Sequence, residues 1–373
     1  MTAPNTREIL AGIREWVEIE SHTPDVAGIN HLMDLCASGW VKAGAKVERI
    51  EGRDGYGDHL SVSSPWGRDD EPGILVLCHL DTVHPRGTIK DLAFRVDGDR
   101  CYGPGIYDMK GGAYLAFAAF QAIIRAGKST PLPLRFLYTS DEETGSPTSR
   151  DLIVASAARA KYVLVTEPAR DGGKIVTARK GVARFVITAR GRPSHAGARH
   201  QDGRSAILEM ARQIVDIEAM TDYKRGVTFN VGQITGGTAE NVVPGLCEAS
   251  VDMRIMTIAD AEHFEAHFRN LKAYNPDVAV QVTGGLNRPP YEMNAAGAKL
   301  YAHAQKVASE IGLDLVGVAT GGGSDGNFTA PFVATLDGLG VDGEGAHTLH
   351  EHMLVSSLMP RMSLHKRLFE TLV

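Results

Sequence analysis

The stretch Gly73-Ile-Leu-Val-Leu-Cys78-His79-Leu-Asp81 places a short apolar run directly before a histidine and an aspartate. An apolar run of this length after a Pro-Gly pair is typical of a strand buried on both faces. Residues 135–139 and 162–165 have the same character, and helical patterns at residues 112–124 and 149–160 lie between these strands. Because strands alternate with helices, the sequence predicts an α/β fold with a mostly parallel central sheet covered by helices.

A second pattern of elements interrupts the first near residue 180. Strands and helices follow there in the order β-α-β-β-α-β, at residues 182–189, 204–220, 227–234, 246–256, 259–274 and 278–283. This order is that of a split βαβ unit, which folds as a small independent layer. A length of 373 residues also exceeds what one hydrophobic core usually serves. We therefore expect a main domain at residues 1–178 and 290–373, interrupted by an insert at residues 180–289.

Composition and charge exclude several classes of function. Hydrophobic residues make up 43% of the chain and charged residues 23%, which is ordinary for a globular protein. A net charge of -6 without any long basic run gives no reason to expect nucleic acid or an anionic membrane as a partner. Residues 1–10 lack the long apolar stretch of a signal peptide, and no window approaches the roughly 20 apolar residues of a membrane span. Since the four cysteines form no Cys-x-x-Cys pair, we expect free thiols in a reducing cytoplasm.

Acidic and imidazole side chains follow the predicted strands of the main domain. They are His79 and Asp81 after the first strand, Asp108 in a Gly-rich turn, Asp141, Glu142 and Glu143 after the second strand, and Glu167 after the third. The carboxyl ends of strands in an open α/β sheet form the crevice where ligands bind, so we expect these groups at one edge of the sheet. Each has an ordinary structural alternative, as a hydrogen-bonded histidine, a solvated acidic pair or a turn residue. Clustered carboxylates repel one another unless cations or protons compensate them, and histidine with carboxylates is ordinary zinc-ligand chemistry.

In their order along the chain, these motifs resemble those of the two-zinc metallopeptidases, the family of glutamate carboxypeptidase G, aminoacylase, acetylornithine deacetylase and succinyl-diaminopimelate desuccinylase. The resemblance covers essentially the whole chain, and the stretch at residues 321–327 is most similar to the carboxypeptidase G branch. The matching motifs are His79-Leu-Asp81-Thr-Val83, Gly105-Ile-Tyr-Asp108-Met-Lys-Gly-Gly112, Thr139-Ser-Asp-Glu142-Glu143-Thr-Gly145, Glu167-Pro168, Gly191-Arg-Pro-Ser-His195-Ala-Gly197, Gly321-Gly-Gly-Ser-Asp325 and His347 with Glu351. The family implies a zinc-exopeptidase-like catalytic domain and an inserted lid or dimerisation domain.

The resemblance implies five metal ligands. His79 and Glu167 would bind one zinc ion, Glu143 and His347 would bind the other, and Asp108 would bridge both. This pattern gives each ion three protein ligands and an open position for a shared water or hydroxide, as catalytic zinc requires. Because cobalt and manganese can share such ligands, the resemblance implies two Zn2+ per subunit with Co2+ or Mn2+ as alternatives.

Three further residues receive roles in catalysis from the same resemblance. Asp81 would hydrogen-bond the second ring nitrogen of His79 and so fix its tautomer. Glu142 would be the general base, which takes a proton from the water and hands it to the leaving amine. His195, which on its own is typical of a turn residue, would reach a neighbouring subunit's active site and stabilise the oxyanion of the tetrahedral intermediate.

Four residues are candidates for holding a substrate carboxylate. Arg254, on a predicted strand, is either a two-pronged clamp for that carboxylate or an ion-pair residue. Asn241 is a further candidate of the same kind. The backbone amides of Gly322 and Gly323 are suited to a carboxylate, since the phosphate-loop pattern Gly-x-x-x-x-Gly-Lys-Ser/Thr is absent.

Three histidines near the end of the chain compete for one ligand position. The family places its ligand histidine four residues before a glutamate. This spacing favours His347 over His350 and His352, because Glu351 lies four residues after His347. We expect His350 and His352 on or near the final helix, facing solvent.

The expected function is hydrolysis of the amide bond of a small peptide or an N-acyl amino acid. The motifs do not separate a carboxypeptidase from an N-acyl amino acid deacylase of the acetylornithine deacetylase or aminoacylase type. A catalytically inactive metal- or peptide-binding protein of this fold would not need Glu142, and a dehydrogenase would need a nucleotide fingerprint that the sequence lacks. The family is mostly dimeric through the insert, so the resemblance implies a homodimer.

Overall fold

The computed structural model describes residues 3–68 and 70–373, which fold into two compact units. Unit 1 comprises Met1–Ala178, Met293–Thr320 and Ser324–Val373, and unit 2 comprises Arg179–Glu292 and Gly321–Gly323. In the described part of the chain, no helix is both long enough and apolar enough to cross a membrane.

The described residues contain helices and strands throughout both units. The α-helices are α1 (Thr6–Val17), α2 (Val26–Lys42), α3 (Gly111–Arg125), α4 (Arg150–Ala157), α5 (Ala206–Ala219), α6 (Ile258–Arg269), α7 (Ala295–Glu310), α8 (Gly326–Thr329) and α9 (Leu358–Thr371). The strands are β1 (Lys46–Ile50), β2 (His59–Ser63), β3 (Gly73–His79), β4 (Arg95–Asp97), β5 (Arg100–Tyr102), β6 (Leu134–Thr139), β7 (Ala160–Val165), β8 (Ile175–Arg179), β9 (Gly181–Arg190), β10 (Ser194–His195), β11 (Thr228–Gly236), β12 (Val242–Val243), β13 (Leu246–Ile255), β14 (Ala279–Arg288), β15 (Gly317–Thr320), β16 (Ala334–Leu336), β17 (Gly343–Glu344) and β18 (His352–Leu354).

Unit 1 is built on a six-stranded sheet with the strand order β1-β2-β6-β3-β7-β16. Strands β6, β3, β7 and β16 are parallel to one another, whereas β2 and β1 add an antiparallel edge. The mostly parallel sheet predicted from the sequence is therefore confirmed. The antiparallel edge is an addition that the apolar runs do not indicate, because β2 carries a polar residue at every second position.

Side chains that alternate along β3 enter two different apolar clusters. Ile74 and Val76 belong to the large cluster that includes residues of α1, α2, α3 and α9. Leu75 and Leu77 belong to a smaller cluster with residues of α4 and α8. The strand is thus buried on both faces, as its apolar run predicts, and it forms a fixed support for its last residue, His79.

Unit 2 contains a four-stranded antiparallel sheet with the order β11-β13-β9-β14. Its elements follow one another as β9, α5, β11, β13, α6 and β14, which is the β-α-β-β-α-β order that the sequence predicts. The core of the unit includes Phe185 and Phe268, whose stacked rings lie 4.1 Å apart. A short ribbon of β10 and β12 is an addition to this pattern.

A small antiparallel sheet in unit 1 has the order β17-β18-β5-β4 and contains one of the C-terminal histidines. His352 begins β18, pairs with Tyr102 of β5 and is only 8% exposed. The expectation that His352 faces solvent on or near the final helix is therefore wrong. The chain is extended and paired at this point, and α9 does not begin until Leu358. His350 lies exposed in the preceding turn.

Candidate metal centre

Unit 1 brings the predicted ligands to the carboxyl edge of its parallel strands. β3 ends at His79, the turn Glu142–Thr144 follows β6, and Glu167 follows β7. These three strands are parallel neighbours, so their ends meet at one edge of the sheet. Asp108 reaches the same place from the turn that precedes α3.

The two carboxylate oxygens of Asp108 face two different histidines. Oδ1 lies 3.3 Å from Nε2 of His79, and Oδ2 lies 3.4 Å from Nε2 of His347. On the first side, Glu167 lies 3.6 Å from the same nitrogen of His79. On the second side, Glu143 lies 3.2 Å from Nε2 of His347. The structure thus brings all five predicted ligands together in two groups that share Asp108.

The donors of this cluster fit a divalent cation. His79 is 2% exposed and Glu167 is 4% exposed, so both are shielded from water. Oε1 of Glu143 is buried and has no hydrogen-bond partner among the described residues. A buried carboxylate oxygen without a partner is costly. Imidazole nitrogens and carboxylate oxygens are the donors that zinc prefers, and such an ion would satisfy this oxygen.

The electrostatics of the cluster call for positive charge. Hydrogen bonds to Asp108 and Glu143 raise the pKa of His347 to about 11. Burial alone would lower the pKa of His79, but Asp108 and Asp81 outweigh it and hold that pKa well above its ordinary value. Burial likewise opposes the ionisation of Asp108, but His347 and His79 hold its pKa below the usual range. Bound protons or metal cations must therefore compensate the carboxylates.

Asp81 is fully buried and contacts the two segments that carry His79 and Glu143. Nδ1 of His79 lies 3.0 Å from the backbone carbonyl of Asp81 and 3.4 Å from its carboxylate. The carboxylate also accepts the backbone N–H groups of Glu142 at 3.2 Å and Glu143 at 3.1 Å, and the hydroxyl of Thr23 at 2.9 Å. Asp81 therefore joins the end of β3 to the turn after β6, besides orienting the imidazole.

Comparison with known proteins identifies the family. Residues 75–371 match Peptidase family M20/M25/M40. The chain belongs to this family. It is 30% identical over 372 residues to Carboxypeptidase G2 of Pseudomonas sp. (strain RS-16), with 96% of the chain and 88% of that protein covered. It is 28% identical over 379 residues to a succinyl-diaminopimelate desuccinylase of Paracidovorax citrulli (strain AAC00-1), with 94% of each covered.

A solved structure has the same fold as this M20/M25/M40 peptidase. Aminopeptidase PepT from Bacillus cereus superposes with a TM-score of 0.76 at 23% sequence identity, and 98% of each chain is covered. The resemblance drawn from the motifs is confirmed, and so is the enzyme class. The chain is a metal-dependent hydrolase of the peptidase and amidohydrolase type.

Two of the predicted residues of the M20/M25/M40 peptidase lie side by side in unit 2. His195 belongs to β10, and the next residue, Ala196, donates its N–H to the backbone carbonyl of Asn241 at 2.9 Å. Nδ1 of His195 accepts the N–H groups of Gly197 and Ala198, both at 3.1 Å. Since Nδ1 is an acceptor, the proton of the neutral ring is on Nε2, which makes that nitrogen a hydrogen-bond donor.

Arg254, another predicted residue of unit 2, has a partner on its own strand. Its Nε and Nη2 donate to the two carboxylate oxygens of Asp252 at 2.6 and 3.1 Å. This two-pronged ion pair corresponds to the second of the two interpretations that the sequence leaves open for Arg254.

Two buried arginines beside the glycine loop of unit 2 were not found from the sequence. Arg179 is 0% exposed and donates to the backbone carbonyls of Gly322 at 3.2 Å and Gly323 at 3.4 Å. Arg288 is 4% exposed, and its Cδ would lie 2.9 Å from a Cβ at Gly323. Because arginine is rarely buried, the sequence does not indicate that these two side chains lie in the interior.

Proposed function

We propose that this M20/M25/M40 peptidase is a two-metal exopeptidase that hydrolyses the amide bond of a small peptide or an N-acyl amino acid. The observation that carries the proposal is the pair of contacts made by Asp108, with one carboxylate oxygen toward His79 and the other toward His347. A carboxylate shared in this way suits two cations roughly 3.5–4 Å apart. The name of the similar Carboxypeptidase G2 supports a peptide-like substrate.

The proposed centre holds two Zn2+ per subunit. His79 and Glu167 would hold one ion, Glu143 and His347 the other, and Asp108 both. Co2+ or Mn2+ can occupy the same donors. When bound, such ions supply Lewis acidity and a nucleophilic water at neutral pH.

Glu142 is the proposed general base. An oxygen of its carboxylate lies within 4.8 Å of ligand atoms of both His79 and Glu167. Its backbone is held by Asp81, so the side chain starts from a fixed position. Glu142 would accept a proton from the attacking water and then donate it to the nitrogen of the breaking amide. Water and amide thus become a carboxylic acid and an amine, and Glu142 returns to its ionised form.

Unit 2 contains the insert at residues 180–289, which is the proposed lid and dimerisation domain between the two parts of the main domain. Four of the large apolar side chains of this unit are more than half exposed, namely Leu208 (56%), Val215 (68%), Tyr223 (86%) and Ile234 (54%). Leu208 and Val215 are two helical turns apart on α5 and therefore share one face. An apolar face of this kind supports a homodimer through unit 2, in which His195 would stabilise the oxyanion at the neighbouring subunit's centre.

A free carboxylate next to the scissile amide is the proposed recognition feature of the substrate. The candidate donors are Arg254, Asn241 and the backbone amides of Gly322 and Gly323. Arg254 can serve only if it exchanges its present ion pair for the substrate. Arg288, which is buried beside Gly323, is a second guanidinium for the same task.

A deacylase of the acetylornithine deacetylase or aminoacylase type is the second candidate function. The similarity to a protein named succinyl-diaminopimelate desuccinylase favours it, because that name describes removal of an acyl group. Both functions use the same residues and the same hydrolytic step, so they differ in the group on the carbonyl side of the amide.

We further propose a cytoplasmic location without nucleic acid or membrane partners. The four cysteines are free and buried. Burial raises the pKa of Cys78 to about 12, so this thiol is unreactive at neutral pH. Unpaired structural thiols suit a reducing compartment.

The proposed function is tested by comparing one N-acyl amino acid with its carboxamide. Loss of charge-assisted hydrogen bonds worth roughly 1.5–3 kcal/mol should lower kcat/KM for the amide by about ten- to a hundredfold. Equal rates would show that the carboxylate is not read and would contradict the exopeptidase assignment.

Two arginine variants decide whether Arg254 is the clamp. Arg254→Ala should shrink the preference for the acid over the amide. Arg184→Ala is the matched control, because Arg184 also lies near Asp252, at 3.8 Å, and is not a proposed clamp. If both variants lower the two rates alike, Arg254 is structural and Arg288 becomes the candidate.

A further inference from the structure

Glu351 is a buried carboxylate whose hydrogen-bond partners lie at least 243 residues away in the chain. Oε1 accepts the backbone N–H groups of Tyr107 at 2.9 Å and Asp108 at 3.0 Å. Oε2 accepts the N–H of Gly105 at 2.9 Å and lies 2.5 Å from Nε2 of His84. Glu351 is 0% exposed, so both oxygens depend on these partners.

The first segment that Glu351 holds is the turn that presents Asp108. Three backbone N–H groups of this turn converge on the one carboxylate, which fixes the chain at Asp108 itself. Gly105 adopts a left-handed conformation with φ of 70°, and a Cβ there would lie 2.3 Å from Thr82. Only glycine permits this backbone path without strain. Gly105 therefore allows the turn to direct its backbone N–H groups toward Glu351.

The second segment is the turn that carries His347. Thr348 closes this turn by donating its N–H to the carbonyl of Gly345 at 3.0 Å, and Glu351 closes the following turn by donating its N–H to the carbonyl of Thr348 at 3.3 Å. His347 has a φ of 66°, a conformation that a residue other than glycine keeps only when its surroundings hold it there. One residue therefore connects the backbone segments that carry two of the proposed ligands.

We propose that Glu351 is a positioning residue of the metal centre, which sets the separation between Asp108 and His347 without binding metal itself. The inference rests on the proposed function, since it requires ions at this cluster. Four donors converge on Glu351, and only a carboxylate offers two acceptor oxygens to them. A glutamine would turn an NH2 group toward one or more of these donors. Groups that orient metal ligands in this way strongly influence metal affinity.

The test is a calorimetric Co2+ titration of chelator-stripped protein, with the visible absorption of the bound Co2+ recorded in parallel. The natural protein should bind two ions. Glu351→Gln should bind them about 10- to 100-fold more weakly, and its Co2+ spectrum should change. The ion beside His347 and Glu143 should be the more affected, because its ligands depend on both segments.

Glu209 of unit 2 provides a matched control. It is 2% exposed and accepts the backbone N–H groups of Tyr274 at 2.8 Å and Asn275 at 3.0 Å. Gln213 donates to it as well, at 2.9 Å. Glu209→Gln also removes a buried charge and should lower the melting temperature, but it should leave the Co2+ affinity and spectrum unchanged.

The outcomes separate the two proposals. If natural protein binds no Co2+, the proposed function itself fails. If natural protein binds two ions and folded Glu351→Gln binds them equally well, the positioning role is overturned and the proposed function stands. Should Glu351→Gln not fold, Glu351→Asp takes its place, since it keeps the carboxylate but is one methylene too short to reach the turn that presents Asp108. Weakened Co2+ binding by Glu351→Asp supports the role, and undiminished binding overturns it.

Discussion

Glu142 and Glu143 are adjacent carboxylates with different surroundings. Glu143 has one oxygen 3.2 Å from His347 and the other buried without a hydrogen-bond partner among the described residues. Glu142 has an oxygen in a different group of potential ligand atoms, with His79 and Glu167. These different surroundings support the proposed division of roles, in which Glu143 would hold an ion and Glu142 would exchange protons.

Single substitutions of this pair should have different consequences. Glu142→Ala should keep both metals and lower kcat by about 10²- to 10⁴-fold, the usual contribution of general acid–base catalysis. Glu143→Ala should instead lose or weaken one metal. Metal content by elemental analysis, together with kcat, checks both expectations. Loss of metal from Glu142→Ala with retention in Glu143→Ala would reverse the two assignments.

His365 on α9 predicts a pH dependence of stability. It is 0% exposed, and burial lowers its pKa to about 4. Between the unfolded pKa of about 6.5 and the folded value, the unfolded chain binds a proton that the folded chain excludes. Stability is therefore lost as the pH falls through this window, by about 2 kcal/mol between pH 7.5 and pH 5.

The variant His365→Gln isolates this contribution. Urea unfolding in excess chelator, at pH 7.5 and at pH 5, should show that the variant loses about 2 kcal/mol less than the natural protein over this interval. Other groups titrate in both proteins and cancel in the comparison. Equal losses would mean that His365 is protonated in the folded state at pH 5.

At the scale of elements, α3 closely approaches the end of β7 beside the candidate metal centre. A Cβ on Gly112 would lie 2.1 Å from the backbone carbonyl of Thr166, the residue before the proposed ligand Glu167. It would also lie 2.9 Å from Gly340. Both obstacles are backbone atoms, so neither can move without moving its segment.

Gly112→Ala should therefore destabilise the protein by about 1–3 kcal/mol, the usual cost of overpacking, and weaken metal binding at Glu167. Gly39→Ala on α2 is the matched control, because its Cβ would meet only Phe117, at an ordinary 3.4 Å. It should be neutral or stabilising by about 0.5–1 kcal/mol. Urea unfolding without metal measures the stability of each variant. Equal stabilities of the two variants would contradict the close packing of Gly112 against Thr166 and Gly340.

The elements were largely predictable because each carries its own pattern. The apolar run of β3 indicates burial on both faces, and the alternation in unit 2 indicates its six main elements in their correct order. The sequence does not predict β18, because a strand of three residues has too few positions to show a period, and the predicted place of His352 is wrong for the same reason. Its pairing with β5 depends on a segment far away in the chain.

The positions of the candidate ligands were predictable for a related reason. His79, the Glu142–Glu143 pair and Glu167 follow parallel strands, and such strands end at one edge. The sequence does not reveal which distant groups a buried carboxylate will contact. Glu351 served only to identify His347 in the sequence, yet its carboxylate accepts the N–H of Gly105, which precedes it by 246 residues. Periodicity reports local burial and carries no information about such partners.

At the scale of the whole molecule, the proposed sharing of His195 between subunits predicts complementation. His195→Ala and Glu142→Ala should each be nearly inactive alone. Mixed and allowed to exchange subunits, they should recover activity from hybrid dimers, up to about a quarter of the natural level if subunits pair at random. Each hybrid would contain one site with both residues intact.

Sedimentation of the same mixture provides the control for complementation. It must show dimers, because hybrids require subunit exchange. Hybrid dimers that remain inactive would contradict the shared site, and a strictly monomeric protein with full activity would contradict both the shared site and the dimer.

The proposed function requires two divalent ions that share Asp108, and anomalous diffraction at the zinc edge tests for them most directly. Crystals of the zinc-loaded protein should show two anomalous peaks per subunit, each at a zinc–oxygen distance of about 2.0–2.2 Å from a different oxygen of Asp108. One peak should lie beside His79 and Glu167, and the other beside Glu143 and His347. A single peak at full zinc loading, or peaks that do not contact Asp108, would contradict a two-metal centre at Asp108.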